Sequence, residues 1–307
     1  MFAFGAILAL AGRAAHLEAV GPPKDDPASG LSSMPPTIAN TAKGPIEYRL
    51  EGSGPTVMVL NGGHCSRESR LSHEQLTAQG FSVLTPSRPG YDDTPPDVGR
   101  TAQEAADALA ALLDTLHISA VDVIGVSAAG PTALAFAQRH ASRTRKLILE
   151  SAVATDWDEQ TKRRARVGFG RAEKVTWAAM HLMLRLFPTA MIKALLHDLT
   201  ILDVDEVLER MSPGDLDFVK RMIQTSRSGT GFMNDIEHHV DNLAAITQPV
   251  LVMYSPSDKT VSPKNARRVA AEVTTCELYE VPSDTHLIWI GKSADAVWQK
   301  RLSFLKW

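Results

Sequence analysis

Three polar residues, Ser127, Asp258 and His286, stand in an order and in local settings that suit nucleophilic catalysis. A serine hydroxyl at its ordinary pKa is a weak nucleophile. It needs an adjacent base, and that base needs a third group to orient it. Ser127 lies in Val121-Asp-Val-Ile-Gly-Val-Ser-Ala-Ala-Gly-Pro131. Val121 to Val126 are mostly apolar and β-branched, which reads as a strand covered on both faces. Pro131 suits a first helical turn, and Thr132 to His140 read as helix. Ser127 therefore falls at a strand-to-helix turn, where bulky residues two positions away would clash with the crossing backbone. Gly125 and Ala129 hold those positions, giving a G-x-S-x-G nucleophile elbow with Ala as its second small residue. A buried structural serine would satisfy the turn by itself, but not the pattern downstream.

The downstream pattern is an acid and then a base. Asp258 lies in Tyr254-Ser-Pro-Ser-Asp-Lys-Thr-Val261, in the turn after a buried apolar run. His286 lies in Val281-Pro-Ser-Asp-Thr-His-Leu-Ile288, in the loop after the next strand. Both follow the C-terminal ends of strands, as Ser127 does, and ligands bind at that edge of open α/β sheets. The rivals are weaker. Asp284 shares a short loop with His286 and cannot easily reach its far ring nitrogen. Asp241 precedes a strand, and His140 ends a helix. His238 and His239 read as solvated, while His181 and His197 read as packed or pocket-lining. His64 follows a glycine turn near the site and is a candidate for substrate binding. Cys65 beside it reads as a free thiol, and Cys276 as a buried small hydrophobe in a strand. An oxyanion needs two preorganised backbone donors. The Ala128 amide, after the nucleophile, is one candidate. Gly63 is the other, because glycine lets the backbone approach a substrate closely.

These loops need a frame, and alternating patterns supply one. Pro45–Leu50, Thr56–Leu60, Phe81–Leu84, Val121–Val126, Leu147–Leu149, Pro249–Tyr254 and Cys276–Val281 read as strands. Helical patterns intervene at Leu71–Gln79, after the capping box Thr101-Ala-Gln-Glu104, at Thr132–His140 and at Pro263–Val273, and a last one follows near Ala294–Leu305. Strands alternating with helices mean crossover units, a parallel sheet and helices on both faces. From Asp156 to Ala245 no strand is legible, and amphipathic helices such as Trp177–Leu186 and Pro213–Ile223 take over. That stretch reads as an inserted helical cap. It holds six of the ten methionines, with Trp177, Phe187 and Phe232. Thioethers fill adaptable apolar surface, so Trp177, Met180 and Met183 are candidates for lining a substrate pocket. Packing within the cap is the plainer reading of the same residues. The run Lys162-Arg-Arg-Ala-Arg166 reads as a solvated helix face, with an anionic-substrate or membrane role as the other reading.

The domain expectation is an apolar segment and linker over 1–36, a core over 37–155 and 246–307, and a helical cap over 156–245. With 307 residues, 44% of them hydrophobic, the chain can bury a large core. Its net charge of −3 offers no basic field for nucleic acid. The two cysteines have no metal spacing. Met1 to Gly12 is apolar but shorter than the roughly 20 residues of a membrane span, and Arg13 follows the apolar run instead of preceding it as in a secretory signal. A helix docked on the body, a peripheral anchor and a weak signal are all open readings of that end; a cytoplasmic chain is expected over a secreted one, with membrane contact through the apolar end left open.

On Asn61-Gly-Gly63, Ser87-Arg-Pro-Gly-Tyr91, Gly125-Val-Ser-Ala-Ala-Gly130, Asp258 and His286, the chain resembles the α/β-hydrolase family, in its capped, single-domain serine hydrolase branch of esterases, lactonases and carbon–carbon bond hydrolases. The resemblance covers roughly Pro45 to Trp307. It implies an α/β-hydrolase fold with a mostly parallel eight-stranded sheet, and a Ser-His-Asp mechanism that requires neither metal nor organic cofactor. Three positions depart from the family pattern: Asn61 stands where His is usual, Ala129 where Gly is usual, and Asp92 where a further Gly is usual. The expected substrate is a small carboxylic ester or lactone. Carbon–carbon or amide hydrolysis by the same residues, a slow-turnover ligand receptor, and acyl transfer to an alcohol acceptor are the other readings.

Overall fold

The computed structural model describes residues 37–306. Met1–Gly12, its linker and the membrane contact expected of them lie outside the described residues. Eight strands form one sheet: β1 (Thr37–Thr41), β2 (Gly44–Gly52), β3 (Thr56–Leu60), β4 (Ser82–Pro86), β5 (Val121–Val126), β6 (Thr144–Glu150), β7 (Val250–Tyr254) and β8 (Cys276–Glu280). They lie in the order β1-β2-β4-β3-β5-β6-β7-β8. β1 pairs antiparallel with β2 and β2 with β4, and every other pair is parallel. This is the expected mostly parallel eight-stranded α/β-hydrolase sheet.

Helix α1 (Ala102–Thr115) and α2 (Gly130–Arg139) precede β6. Between β6 and β7 come α3 (Glu159–Phe169), α4 (Glu173–Leu186), α5 (Pro188–Leu199), α6 (Val204–Arg210), α7 (Pro213–Thr225) and α8 (Gly231–Asp235). No strand falls there among the described residues. α9 (Lys264–Glu272) separates β7 from β8, and α10 (Ala294–Lys306) follows. The capping box at Thr101 is present, with the Glu104 amide on Thr101 Oγ1 and the Thr101 amide on the Glu104 carboxylate.

The period of two along the strands divides the core. Met58, Leu60, Val123, Leu147 and Leu149 face one side and pack with α1, α2 and α9. Val57, Val59, Ile124, Val126 and Ile148 face the other and pack with α10 and the inserted helices. β5 is buried along its whole length, as a central strand covered on both faces must be. At β8 the Cys276 side chain is only half-buried, since this strand is an edge. The segment expected as helix from Leu71 is a 3₁₀ helix over His73–Gln79, stopped by Gly80 at φ 82°. His238, expected to be solvated, is buried instead. Its Nδ1 meets Thr132 Oγ1 at 3.4 Å and its Nε2 the Arg100 carbonyl at 3.2 Å, so the end of the insertion is tied down onto the core.

Candidate active site

Ser127 leaves β5 with φ 50°, a left-handed conformation that non-glycine residues adopt only under local compulsion. The compulsion comes from close packing on both sides of the turn. A Cβ on Gly125 would lie 2.5 Å from Ala133 Cβ, and one on Gly130 would lie 2.0 Å from the Val153 carbonyl oxygen. Gly130, rather than Ala129, is thus the tighter constraint on the helix side, and Ala129 fits fully buried. The Val153 amide donates to the Ser127 carbonyl at 2.9 Å and fixes the corner.

The loops after β7 and β8 reach the same point. His286 Nε2 lies 3.0 Å from Ser127 Oγ, and its Nδ1 lies 2.6 Å from Asp258 Oδ2. Asp258 Oδ1 accepts from the Val261 amide at 2.9 Å, so both carboxylate oxygens are engaged. The Asp258 side chain is fully buried. A carboxylate on Nδ1 holds the proton there and leaves the Nε2 lone pair facing the hydroxyl. The His286 backbone is pinned as well, its amide on the Leu199 carbonyl and its carbonyl on Ser151 Oγ. Such a chain can accept the hydroxyl proton during attack by Oγ. The rival acid Asp284 instead pairs with Arg210 at 3.0 Å, and Asp241 with His239.

Gly63 sits against Ala128. A Cβ on Gly63 would lie 3.2 Å from Ala128 Cβ and 2.9 Å from the Phe232 ring, so a side chain there would have to displace that ring. Among the described residues, neither the Gly63 nor the Ala128 amide has a hydrogen-bond partner. The loop that carries Gly63 is held from below by Arg88. Its Nε donates to the Asn61 carbonyl at 3.0 Å and its Nη2 to the Gly62 carbonyl at 3.2 Å, while Nη1 pairs with Asp235. In a trans peptide the carbonyl and the following N–H point in opposite directions. With the Gly62 carbonyl held on Arg88, the Gly63 N–H is aimed away from Arg88. Asn61, at the position where the family usually carries His, ties the loop through Nδ2 to the Ser66 and Ser69 carbonyls. Asp92 has φ 46°, which explains why Gly is usual there. Its carboxylate offsets the strain by accepting from the Arg67 amide and Ser87 Oγ.

A cavity of about 160 Å³ opens beside Ser127. Gly63, His64, Ala128, His286, Trp177 and Met180 line it. Met183 does not. One turn further along α4, it packs into the core cluster beside the stripe of buried residues. Trp157, Leu287 and Trp289 line the cavity without having been singled out from sequence. The available signal was position: Trp157 is on the exit from β6, and Trp289 is three residues past His286. No Lys, Arg, Asp or Glu is among the described lining residues.

His64 stacks 3.9 Å from the Phe232 ring and 4.2 Å from the Phe169 ring, centroid to centroid. Its Nδ1 meets Ser228 Oγ at 2.7 Å, and that oxygen also accepts from Trp177 Nε1 at 2.8 Å. Desolvation among these rings pushes its pKa down to about 3, although Asp235 pulls the other way. His64 is therefore a neutral polar group in the wall. Burial also pushes the Cys65 thiol up to about 11, which leaves it protonated and unreactive.

Residues 57–299 match the model of the alpha/beta hydrolase family. The chain belongs to that family. Over 271 residues it is 32% identical to the uncharacterized hydrolase YcgS of Bacillus subtilis, spanning 86% of this chain and 95% of that one. An alpha/beta hydrolase fold protein from Nakamurella multipartita superposes with a TM-score of 0.75 at 28% identity, over 87% of this chain and 97% of the other. A shorter match, 36% over 111 residues, links 34% of this alpha/beta hydrolase to 38% of the 2-hydroxy-6-oxononadienedioate/2-hydroxy-6-oxononatrienedioate hydrolase 1 of Dechloromonas aromatica.

Proposed function

We propose that this hydrolase is a serine esterase or lactonase, with Ser127 as nucleophile, His286 as base and Asp258 as the orienting acid. The observation that carries the reading is the chain of hydrogen bonds from Ser127 Oγ through His286 to Asp258, set at a cavity with two unengaged amides. As Oγ attacks the substrate carbonyl, its proton passes to His286 Nε2. The Gly63 and Ala128 amides receive the oxyanion. His286 then gives the proton to the departing alkoxide, leaving an acyl group on Ser127. Water repeats the sequence, returning the acid and the free serine. Neither a metal nor an organic cofactor enters these steps. The helices of 156–245 act as a lid, since Trp177, Met180, Leu195, Leu199 and Met222 contribute to the cavity wall.

The cavity wall favours a neutral, partly apolar substrate. A dicarboxylate such as the one named for the Dechloromonas enzyme would have to leave its distal charge beside apolar groups with no cation to meet it, at a cost of several kcal/mol. Carbon–carbon hydrolysis of that substrate class is therefore the weaker reading. The test has two parts. A fluorophosphonate should label Ser127 alone, and Ser127→Ala should abolish steady-state turnover of aryl esters while leaving the thermal midpoint unchanged. Label on another serine, or turnover surviving in the variant, sinks the mechanism. A diketone or anilide turned over faster than the ester panel would move the reading to carbon–carbon or amide hydrolysis. Ligand binding with negligible turnover of any of these would favour the receptor.

A further inference from the structure

Helix α4 is apolar on two opposite faces. At about 100° per residue, Thr176, Trp177, Met180 and Leu184 fall on one side and are buried. Val175, Leu182 and Leu186 fall on the other and are 66%, 54% and 53% exposed. The inner stripe has an evident role, since Trp177 and Met180 line the cavity. Among the described residues, the outer stripe covers nothing. It continues into Phe187, 53% exposed, and lies near Val167 at the end of α3, 72% exposed. A helix that faces only water carries polar residues on that side.

The segment that carries this stripe is predominantly basic. Residues 160–197 hold eight Lys and Arg against one acid, Glu173, in a chain whose overall balance is −3. Glu173 is itself occupied by the Ser228 and Gly229 amides. Lys162 and Arg166 pair with Glu237, and Lys193 with Asp205. Among the described residues, Arg163, Arg171, Lys174 and Arg185 are exposed and pair with no carboxylate. An apolar stripe within a basic surround fits the boundary of an anionic lipid layer, where apolar side chains enter the acyl region and the cations stay with the headgroups. Nucleic acid would leave the apolar stripe unmatched. A second copy docked face to face would set basic side chains against basic side chains.

We propose that the outer face of α4, with the end of α3, docks this hydrolase on an anionic lipid surface. One helix, roughly 10 Å across, then separates the lipid from the cavity. The apolar segment Met1–Gly12 is not needed for this docking.

Vesicle flotation of the full chain tests it. The protein should float with mixed phosphatidylglycerol–phosphatidylcholine vesicles and not with phosphatidylcholine alone, and binding should weaken as salt rises. Two variants probe the two parts of the surface: the triple Val175→Ser, Leu182→Ser, Leu186→Ser, and the double Lys174→Glu, Arg185→Glu. Each should lose binding by at least about tenfold at an unchanged thermal midpoint, and either one decides the matter if the other fails to fold. The proposal is overturned if the parent chain does not float, or if binding ignores headgroup charge. It is equally overturned if the variants bind like the parent, which would assign the contact to Met1–Gly12. A triple variant that alters the oligomeric state by size exclusion without changing flotation would make the stripe a protein interface instead.

Discussion

The strand ends that carry Ser127, Asp258 and His286 and the helices inserted between β6 and β7 meet at one cavity, but they are held in different ways. The strand-end loops are over-determined. Asp258 is bonded through both oxygens, His286 through both ring nitrogens and both backbone groups, and Ser127 is kept in a left-handed conformation by its neighbours. The inserted helices instead contribute packing surface such as Trp177, Met180 and Met222, and leave Leu182 and Leu186 in the open. Such a division suits an enzyme whose chemistry needs fixed geometry and whose specificity is set by an adaptable wall. It also predicts where substitutions act: on rate at the strand ends, on substrate choice in the helices.

The largest expected effect is at Asp258. Asp258→Asn keeps the shape but removes the charge that fixes the His286 tautomer, and the corresponding change in serine proteases costs about 10⁴ in kcat. Steady-state kinetics on an aryl ester measure it directly. If Asp284→Asn is crippling while Asp258→Asn is nearly silent, the wrong carboxylate has been assigned and the hydrogen-bond chain is not the working one.

Arg88 belongs to the frame but touches no substrate in this reading; it positions the Gly63 amide through the Gly62 carbonyl. Lysine keeps the charge opposite Asp235 but lacks the fork that spans two carbonyls. Arg88→Lys should therefore lower kcat by up to about 10²-fold, the lower end of the loss for an oxyanion donor, with KM little changed. Tyr91→Phe is the control. It removes a hydrogen bond to the same Asp235, at 2.6 Å, without touching the Gly62 carbonyl. If kcat in the two variants merely tracks the thermal midpoint, Arg88 is a structural rivet and nothing more.

His64 joins the two regions, because it sits in the Gly63 loop and packs against Phe169, Trp177 and Phe232 of the insertion. Its pKa of about 3 in the fold lies below the usual value near 6.5. As pH falls below about 6.5 the unfolded chain takes up a proton that the folded chain refuses until about 3, so stability is lost across that window. His64→Phe should flatten the fall in denaturation midpoint between pH 7 and pH 4. A slope identical to that of the parent would mean that His64 takes up its proton as readily in the fold as in the unfolded chain.

What the sequence made legible follows the same division. Ser127 and Asp258 each come just after a mostly apolar, fully buried run, and such runs identify central strands without any knowledge of the fold, whereas His286 follows the mixed edge strand Cys276–Glu280. The parallel sheet then puts all three at one edge. Helix-on-helix contacts leave no comparable trace. Met183 and Met180 look equivalent in the chain, yet only Met180 reaches the cavity. His238 reads as an ordinary polar residue because its partners, Thr132 and the Arg100 carbonyl, are over a hundred positions away. Ser228, which holds His64 and Trp177 together, lies 164 residues from His64, and no spacing rule reaches that far. Arg88 was visible as part of a motif, but its task became apparent only from the carbonyls that it holds.

The smallest expected effect is also the sharpest test of the division. Met180 and Met183 share a residue type and one helix, and they differ in whether they meet the cavity. Met180→Ala opens room beside Ser127 without disturbing the hydrogen-bond chain. Relative kcat/KM should then move toward longer acyl chains, by about tenfold between adjacent members of an ester series, the low end of what one methylene is worth in an apolar pocket. Turnover of the smallest ester should change little. Met183→Ala should leave the profile unshifted and lower only the thermal midpoint, since its side chain supports the packing of α4 and not the wall. Equal shifts from both variants would mean that α4 moves as a unit when either methionine is lost. Specificity would then depend on where the helix sits, and the contrast between a fixed frame and an adaptable wall would have to be redrawn at the level of whole helices.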